Sequence, residues 1–246
     1  MNCKNCNEET HGNFCAFCGQ STKVNKIDLR SFVSDVSDTI IKVDKGLFFT
    51  LQQLFLRPGK SIRDYLDGKR VSYFKPIAFV FGLSTLYFLV SKVLGSSTFL
   101  DEFITGYSLM EDESGDSSNH LIILNWFASN YAVTALLLLP LFALSSFITF
   151  FTFGLNYMEH LVLNAYITGQ QTIFYLLAAF NGIVVESHDM LESATIFISM
   201  SYTLFVYWQF FSATKRIVLI MRVIATYALY MLLTMIAIFL VFFVYQ

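Results

Sequence analysis

Residues 223–245 read VIATYALYMLLTMIAIFLVFFVY, twenty-three positions without one charged side chain. A helix needs ~20 predominantly apolar residues to cross the hydrocarbon core of a bilayer, so this stretch predicts a membrane-spanning helix. Four more stretches satisfy the same length rule: Ile77–Leu94, Tyr131–Phe153, Leu161–Val185 and Ala194–Ala213. Lys92 lies near the far end of the first, where its ammonium can snorkel to the headgroups. Pro140 inside the second is tolerable, because neighbouring helices can satisfy a freed carbonyl. The third is the most polar, with NAYITGQQT in its first half; a four-span reading that leaves it interfacial is the alternative.

Composition agrees with lipid as the main solvent. The chain of 246 residues is 55% hydrophobic and only 14% charged, whereas soluble domains carry about 25% charge. The net charge of −2 gives no reason to expect a nucleic-acid partner. The predicted fold class is an all-α polytopic membrane bundle of about five transmembrane helices, occupying 76–246. Ahead of it stand a small N-terminal zinc ribbon, 1–22, and an amphipathic, basic juxtamembrane segment, 23–75. No internal repeat stands out, so an inverted-repeat transporter gains no support.

Charge is unevenly placed. Twelve of the sixteen Lys and Arg fall in residues 1–75, while 95–120 has none and carries Asp101, Glu102, Glu111, Asp112, Glu113 and Asp116. Basic flanks stay in the cytoplasm, which predicts a cytoplasmic N-terminus and a C-terminus outside. Residues 1–30 lack the basic-then-apolar order of a secretory signal, so the first apolar segment is expected to act as an uncleaved anchor. The acidic stretch MEDESGDSSN, 110–119, reads as a solvated loop, and so does the outer segment with Glu186, His188, Asp189 and Glu192.

In the juxtamembrane segment Leu29, Val33, Val36, Ile40, Val43, Leu47, Leu51 and Leu54 recur at steps of three and four, the helical period. Asp28 suits the N-cap, Gly46 suits a break and Pro58-Gly59 an end. Such a helix lies on the bilayer surface or against the bundle.

All four cysteines sit at the front, as Cys3-x-x-Cys6 and Cys15-x-x-Cys18. Two tight pairs of thiolates are the usual tetrahedral set for structural zinc, with Gly12 and Gly19 suited to the sharp turns. Disulfides require an oxidising compartment, and a redox pair requires a folded domain around it. Iron–sulfur ligation is the remaining alternative, although short paired knuckles are more typical of zinc. A closed four-sulfur site has no open coordination position and performs no metal catalysis.

The order of FCAFCGQ, the amphipathic stretch, and then Leu54, Pro58-Gly59-Lys60, Arg63-Asp64-Tyr65, Gly68-Lys69-Arg70 and Lys75-Pro76 resembles the uncharacterised bacterial DUF3667 family. NYMEHLV, Asn156 to Val162, resembles a later motif of that family. The resemblance implies a bacterial inner-membrane protein with an N-terminal zinc ribbon, and it brings no activity.

Two groups of residues are candidate sites besides the cysteines. Arg57, Lys60, Arg63, Lys69, Arg70 and Lys75 form a cationic block beside the first span. It suits anionic lipid head groups at ~1 kcal/mol per basic residue, or a defined phosphate pocket made by Arg63, Lys69 and Arg70 with Tyr65 and Tyr73 lining it. The phosphate-loop frame GxxxxGK[ST] is absent. On a helix of ~3.6 residues per turn, Asn156, His160, Asn164, Thr168, Gln171 and Tyr175 share one face, with Glu159 beside His160. Such a stripe should face other helices or water. It reads either as interhelical hydrogen bonding or as a proton or solute path with Glu159 and His160 titrating together. Two functions follow: a non-enzymatic module whose ribbon recruits or senses a cytoplasmic protein partner, or a small transporter or membrane enzyme using the polar face and the basic mouth.

Overall fold

The computed structural model describes residues 1–24, 26–27, 46–111, 118–181, 188–212 and 215–244. Among them are the helices α1 (Gly46–Leu56), α2 (Pro58–Leu66), α3 (Pro76–Leu94), α4 (Phe99–Glu111), α5 (Ser118–Ser129), α6 (Tyr131–Thr149), α7 (Tyr157–Asn181), α8 (His188–Phe210) and α9 (Arg216–Val244). The described residues are all-α apart from two isolated bridges near the start of the chain. The expected amphipathic positions from Asp28 to Val43 lie outside the described residues.

Five helices traverse one bundle in alternating directions. Phe79 of α3 packs on Tyr166 of α7 at 5.8 Å, and further along Tyr87 packs on Tyr175 at 6.1 Å, so α3 and α7 run parallel. Helix α6 returns: Tyr131 at its start meets Tyr87 at 5.0 Å, and Thr149 at its end meets Thr226 of α9 at 2.7 Å. Helix α8 also returns, bringing Gln209 to Gly59 of α2 at 3.1 Å. The starts of α3, α7 and α9 and the ends of α6 and α8 therefore gather at one pole, where the N-terminal ribbon sits.

Four of the five, α3, α6, α8 and α9, are long and apolar enough to cross a membrane. The third predicted span is α7, which has 25 residues and thus a length of ~37 Å, but a more polar sequence. Its position accounts for that. Helix α7 packs against α3, α6 and α8, and His160, Asn164 and Gln170 are fully buried, so its polar groups face protein. By contrast α9 exposes Met231, Met235, Phe239 and Phe243, side chains that suit acyl chains better than water.

Several boundaries differ from expectation. Helix α6 stops at Thr149, followed by a 3-10 turn Phe151–Phe153 and Gly154 at φ 71, so the predicted 131–153 span is shorter. Helices α8 and α9 begin earlier than 194 and 223. The segment 95–120, read as loop, instead holds α4 and the start of α5, with 112–117 outside the described residues. Thr98 and Asp101 explain the start of α4: the Asp101 carboxylate accepts the Thr98 amide at 2.9 Å and the Thr98 hydroxyl accepts the Asp101 amide at 3.3 Å, a reciprocal cap.

The juxtamembrane helices lie against the bundle. Leu54 and Ile62 are buried, and the Tyr202 hydroxyl of α8 donates to the Leu54 carbonyl at 3.1 Å. Pro58 occupies the first turn of α2, where its missing N–H costs nothing. Gly59 has a packing reason: a Cβ there would stand 2.4 Å from the Gln209 Cβ.

Candidate functional site

The first twenty-two residues form two copies of one knuckle, twelve positions apart. In the first, Cys3 N–H donates to the Glu8 carbonyl and Asn7 N–H to the Cys3 carbonyl; in the second, Cys15 N–H donates to Gln20 and Gly19 N–H to Cys15, all at 2.8–2.9 Å. Bridges Asn2–Glu9 and Phe14–Ser21 close them in the same way. The left-handed corner of each falls on Asn7 (φ 65) and Gly19 (φ 74). Gly19 serves as expected; Gly12 has no such angle, and Asn7 supplies the other corner. The ribbon is thus an internal repeat, which the sequence reading did not anticipate, because the side chains between the cysteines differ.

The four sulfurs meet within 4.8 Å of one another, with Cys3–Cys18 at 3.6 Å and Cys6–Cys15 at 3.5 Å. Tetrahedral ligation with metal–sulfur bonds of ~2.3 Å separates sulfurs by roughly 3.8 Å, so the donor set fits a metal ion. The Cys6 backbone amide holds the Cys3 thiol down, to about 7. The Glu8 amide pulls on Cys6 in the same direction, but burial and the sulfurs of Cys15, Cys18 and Cys3 outweigh it and push that thiol up to about 12. A second thiolate is resisted by the first, a resistance that a bound cation removes.

The ribbon is fastened to the bundle. The Gln20 side-chain oxygen accepts the Arg70 amide at 3.3 Å and the Val71 amide at 3.2 Å. Gly68, at φ +110, lies beneath it, and a Cβ there would stand 2.6 Å from Val24 Cγ1. Ile27 continues into the bundle core beside Leu54 and Phe150, and its carbonyl accepts the Asn156 side chain at 3.4 Å. Phe14 and Phe17 remain 67% and 79% exposed on the ribbon.

The cationic block divides. Lys69 pairs with Asp64 at 2.7 Å, a hydrogen bond that raises its pKa above the ordinary lysine value. The Arg70 guanidinium lies over the Tyr65 ring at 5.7 Å, Arg57 donates to Gln53, Lys60 is exposed and Lys75 precedes α3 as its N-cap residue. Arg63 turns away to α8, donating to the Gln209 carbonyl at 3.2 Å and Ser212 Oγ at 3.4 Å. Tyr65 and Tyr73 are buried in the core rather than lining a mouth with Arg63, and burial raises the Tyr73 pKa.

The polar face of α7 is turned inward. His160 Nδ1 lies 3.0 Å from Ser146 Oγ, which accepts Asn164 Nδ2 at 2.6 Å, while the Tyr207 hydroxyl donates to Asn164 Oδ1 at 2.9 Å. Two turns further, Gln171 Nε2 donates to the Ser199 carbonyl at 2.9 Å and Thr203 Oγ1 at 2.8 Å. Glu159 does not join this network. Its carboxylate accepts the Asn156 amide and the Asn156 side chain accepts the Glu159 amide, both at 2.8 Å, so Asn156 and Glu159 cap α7. Glu159, expected beside His160 on the polar face, thus sits in the helix cap, and His160 is buried in the network of Ser146.

These features define an all-helical polytopic membrane bundle crowned by a cysteine knuckle pair. Within it, residues 44–88 match the family model DUF3667, protein of unknown function, which supports that family for this chain. The match covers α1, α2, the turn that receives Gln20 and most of α3. No curated protein and no solved structure matches the chain.

Proposed function

We propose that this is a non-enzymatic module of the bacterial inner membrane that holds a zinc-loaded ribbon in the cytoplasm to recruit a protein partner. The observation that carries the reading is the fixed mounting of the ribbon through Gln20 on Arg70 and Val71, with Phe14 and Phe17 left exposed on it. Exposed aromatic side chains on a rigid support are characteristic anchors of protein interfaces. Zinc held by Cys3, Cys6, Cys15 and Cys18 supplies structure, standing in for the core that twenty-two residues cannot build. The Lys and Arg excess in residues 1–75 supports the cytoplasmic assignment of the ribbon pole and contact of Lys60 and its neighbours with anionic head groups. Five traverses then put the C-terminus outside.

The test is cross-linking and co-purification from native membranes with Phe14→Ser/Phe17→Ser beside the unaltered protein. A partner lost in the double variant at unchanged metal content supports docking through the ribbon. An unchanged set of partners contradicts it.

A second reading, a small transporter or membrane enzyme, is favoured by one observation. His160 Nε2 and both amide atoms of Gln170 are buried without a hydrogen-bond partner among the described residues, as befits groups that meet a solute or water. Deletion of residues 1–22 discriminates: it abolishes function in the first reading and reduces it only partly in the second.

A further inference from the structure

A cleft of about 590 Å³ opens between the ribbon and the bundle pole, within the ~300–1,000 Å³ of small-ligand sites. Its walls come from three separate parts of the chain: Lys4 and Lys26 from the ribbon side, Arg63 from α2, and Phe153, Phe210 and Phe211 from the bundle. Among the described residues none of the three cations is in an ion pair. The Arg63 guanidinium is held in place by Gln209 and Ser212 over the Phe210 ring at 5.3 Å, using one terminal nitrogen. Its Nε and other terminal nitrogen make no hydrogen bond among the described residues, so donors remain on a guanidinium already held in place.

Two carboxylates also line the cleft, Asp67 and Glu159. The Glu159 carboxylate is held by the cap of α7, and the lining keeps three cations against two carboxylates. The opposite wall is apolar: Leu66, Phe153 and Leu155 are half-buried along it, with Phe210 and Phe211 buried behind them.

We propose that this cleft binds an amphiphilic anion, a lipid phosphate whose head sits among Lys4, Lys26 and Arg63 and whose chain covers Leu66, Phe153 and Leu155. A phosphate monoester carries about −1.5 to −2 charge at neutral pH, opposite in sign to the cationic excess of the lining, and its oxygens accept the remaining donors of Arg63. A small inorganic anion would leave the half-buried apolar wall uncovered. The site requires the ribbon in its docked position, since Lys4 comes from the first knuckle. It does not depend on a protein partner.

The probe is lysophosphatidic acid, added to the purified, metal-loaded full chain in neutral detergent and followed by native mass spectrometry. Lysophosphatidylcholine and inorganic phosphate are run alongside. One equivalent of lysophosphatidic acid should be retained, with far less of either comparison compound. Lys26→Gln and Arg63→Gln should each weaken retention about tenfold, while Lys23→Gln, exposed on the ribbon side and outside the cleft, should not change it. Lys26 makes no hydrogen bond or ion pair among the described residues, so its substitution leaves the fold undisturbed. Equal loss in Lys23→Gln, equal retention of lysophosphatidylcholine, or inorganic phosphate bound as tightly would each overturn the proposal. Because no protein partner enters the assay, its failure is separate from failure of ribbon docking.

Discussion

Gln20 in the second knuckle accepts the backbone amide of Val71 at 3.2 Å, and the same oxygen takes the amide of Arg70. One side chain thereby satisfies two donors in the turn that leads into α3. The ribbon that carries the four sulfurs is joined through it to the turn ahead of α3.

Replacing Gln20 by Ala should release the ribbon without emptying it. Loss of the shared acceptor costs about 1–3 kcal/mol, read as faster amide exchange at residues 69–73 and faster proteolysis between residues 20 and 27, at constant metal content. Unaltered exchange would mean that the contact does not hold in solution.

Gly68→Ala attacks the same joint from below. The new Cβ would meet Val24 Cγ1 at 2.6 Å on a backbone at φ +110, and a non-glycine residue there costs roughly 1–2 kcal/mol in backbone strain alone. The ribbon should lift as in the Gln20 variant. Adding Val24→Ala should recover part of the docking, because it removes the clash and leaves the strain.

Metal removal should be local. A chelator should unfold residues 1–24, whose order depends on the ion, while helix content in the bundle stays unchanged by circular dichroism. Collapse of the whole bundle would show that the ribbon does more than crown it.

Glu159→Gln and Glu159→Ala separate a cap from a titrating group. An amide at the third helical position still accepts the Asn156 amide, so the Gln variant should be nearly neutral. The Ala variant should cost about 1 kcal/mol in thermal stability. Loss of function in the Gln variant at full stability would restore a titrating role to this carboxylate.

Tyr207→Phe probes the inward face of α7. Removing the hydroxyl that reaches Asn164 should cost about 0.6–2 kcal/mol, the range of hydrogen bonds between membrane helices, read as a lower unfolding midpoint in detergent.

Much of this architecture is written in periodicity and length. Apolar runs located the four helices long and apolar enough to cross a membrane, and α7 packed among them, and the spacing of Cys3, Cys6, Cys15 and Cys18 located a metal-ready site, because both signals are local. Two local signals were present but unread. Thr98 with Asp101, and Asn156 with Glu159, have the spacing of reciprocal caps; the first pair sat within an acidic loop-like stretch, and the second was hidden by the neighbouring His160. The division of the cationic block was not legible. Arg63 and Arg70 are seven residues apart in sequence, and only tertiary packing sends one to α8 and the other to Tyr65. The docking of Gln20 on residues 70–71 is likewise a contact across fifty positions, with no pattern in either segment to announce it.

The most direct test of the account is cross-linking and co-purification from native membranes, comparing the unaltered chain with Cys15→Ser/Cys18→Ser and measuring zinc in both. The account predicts one zinc per chain and a cytoplasmic partner, both lost in the double variant while the bundle remains in the membrane. Zinc lost with no change in any partner would contradict it, leaving the ribbon as a structural cap and the buried face of α7 as the place to look for function.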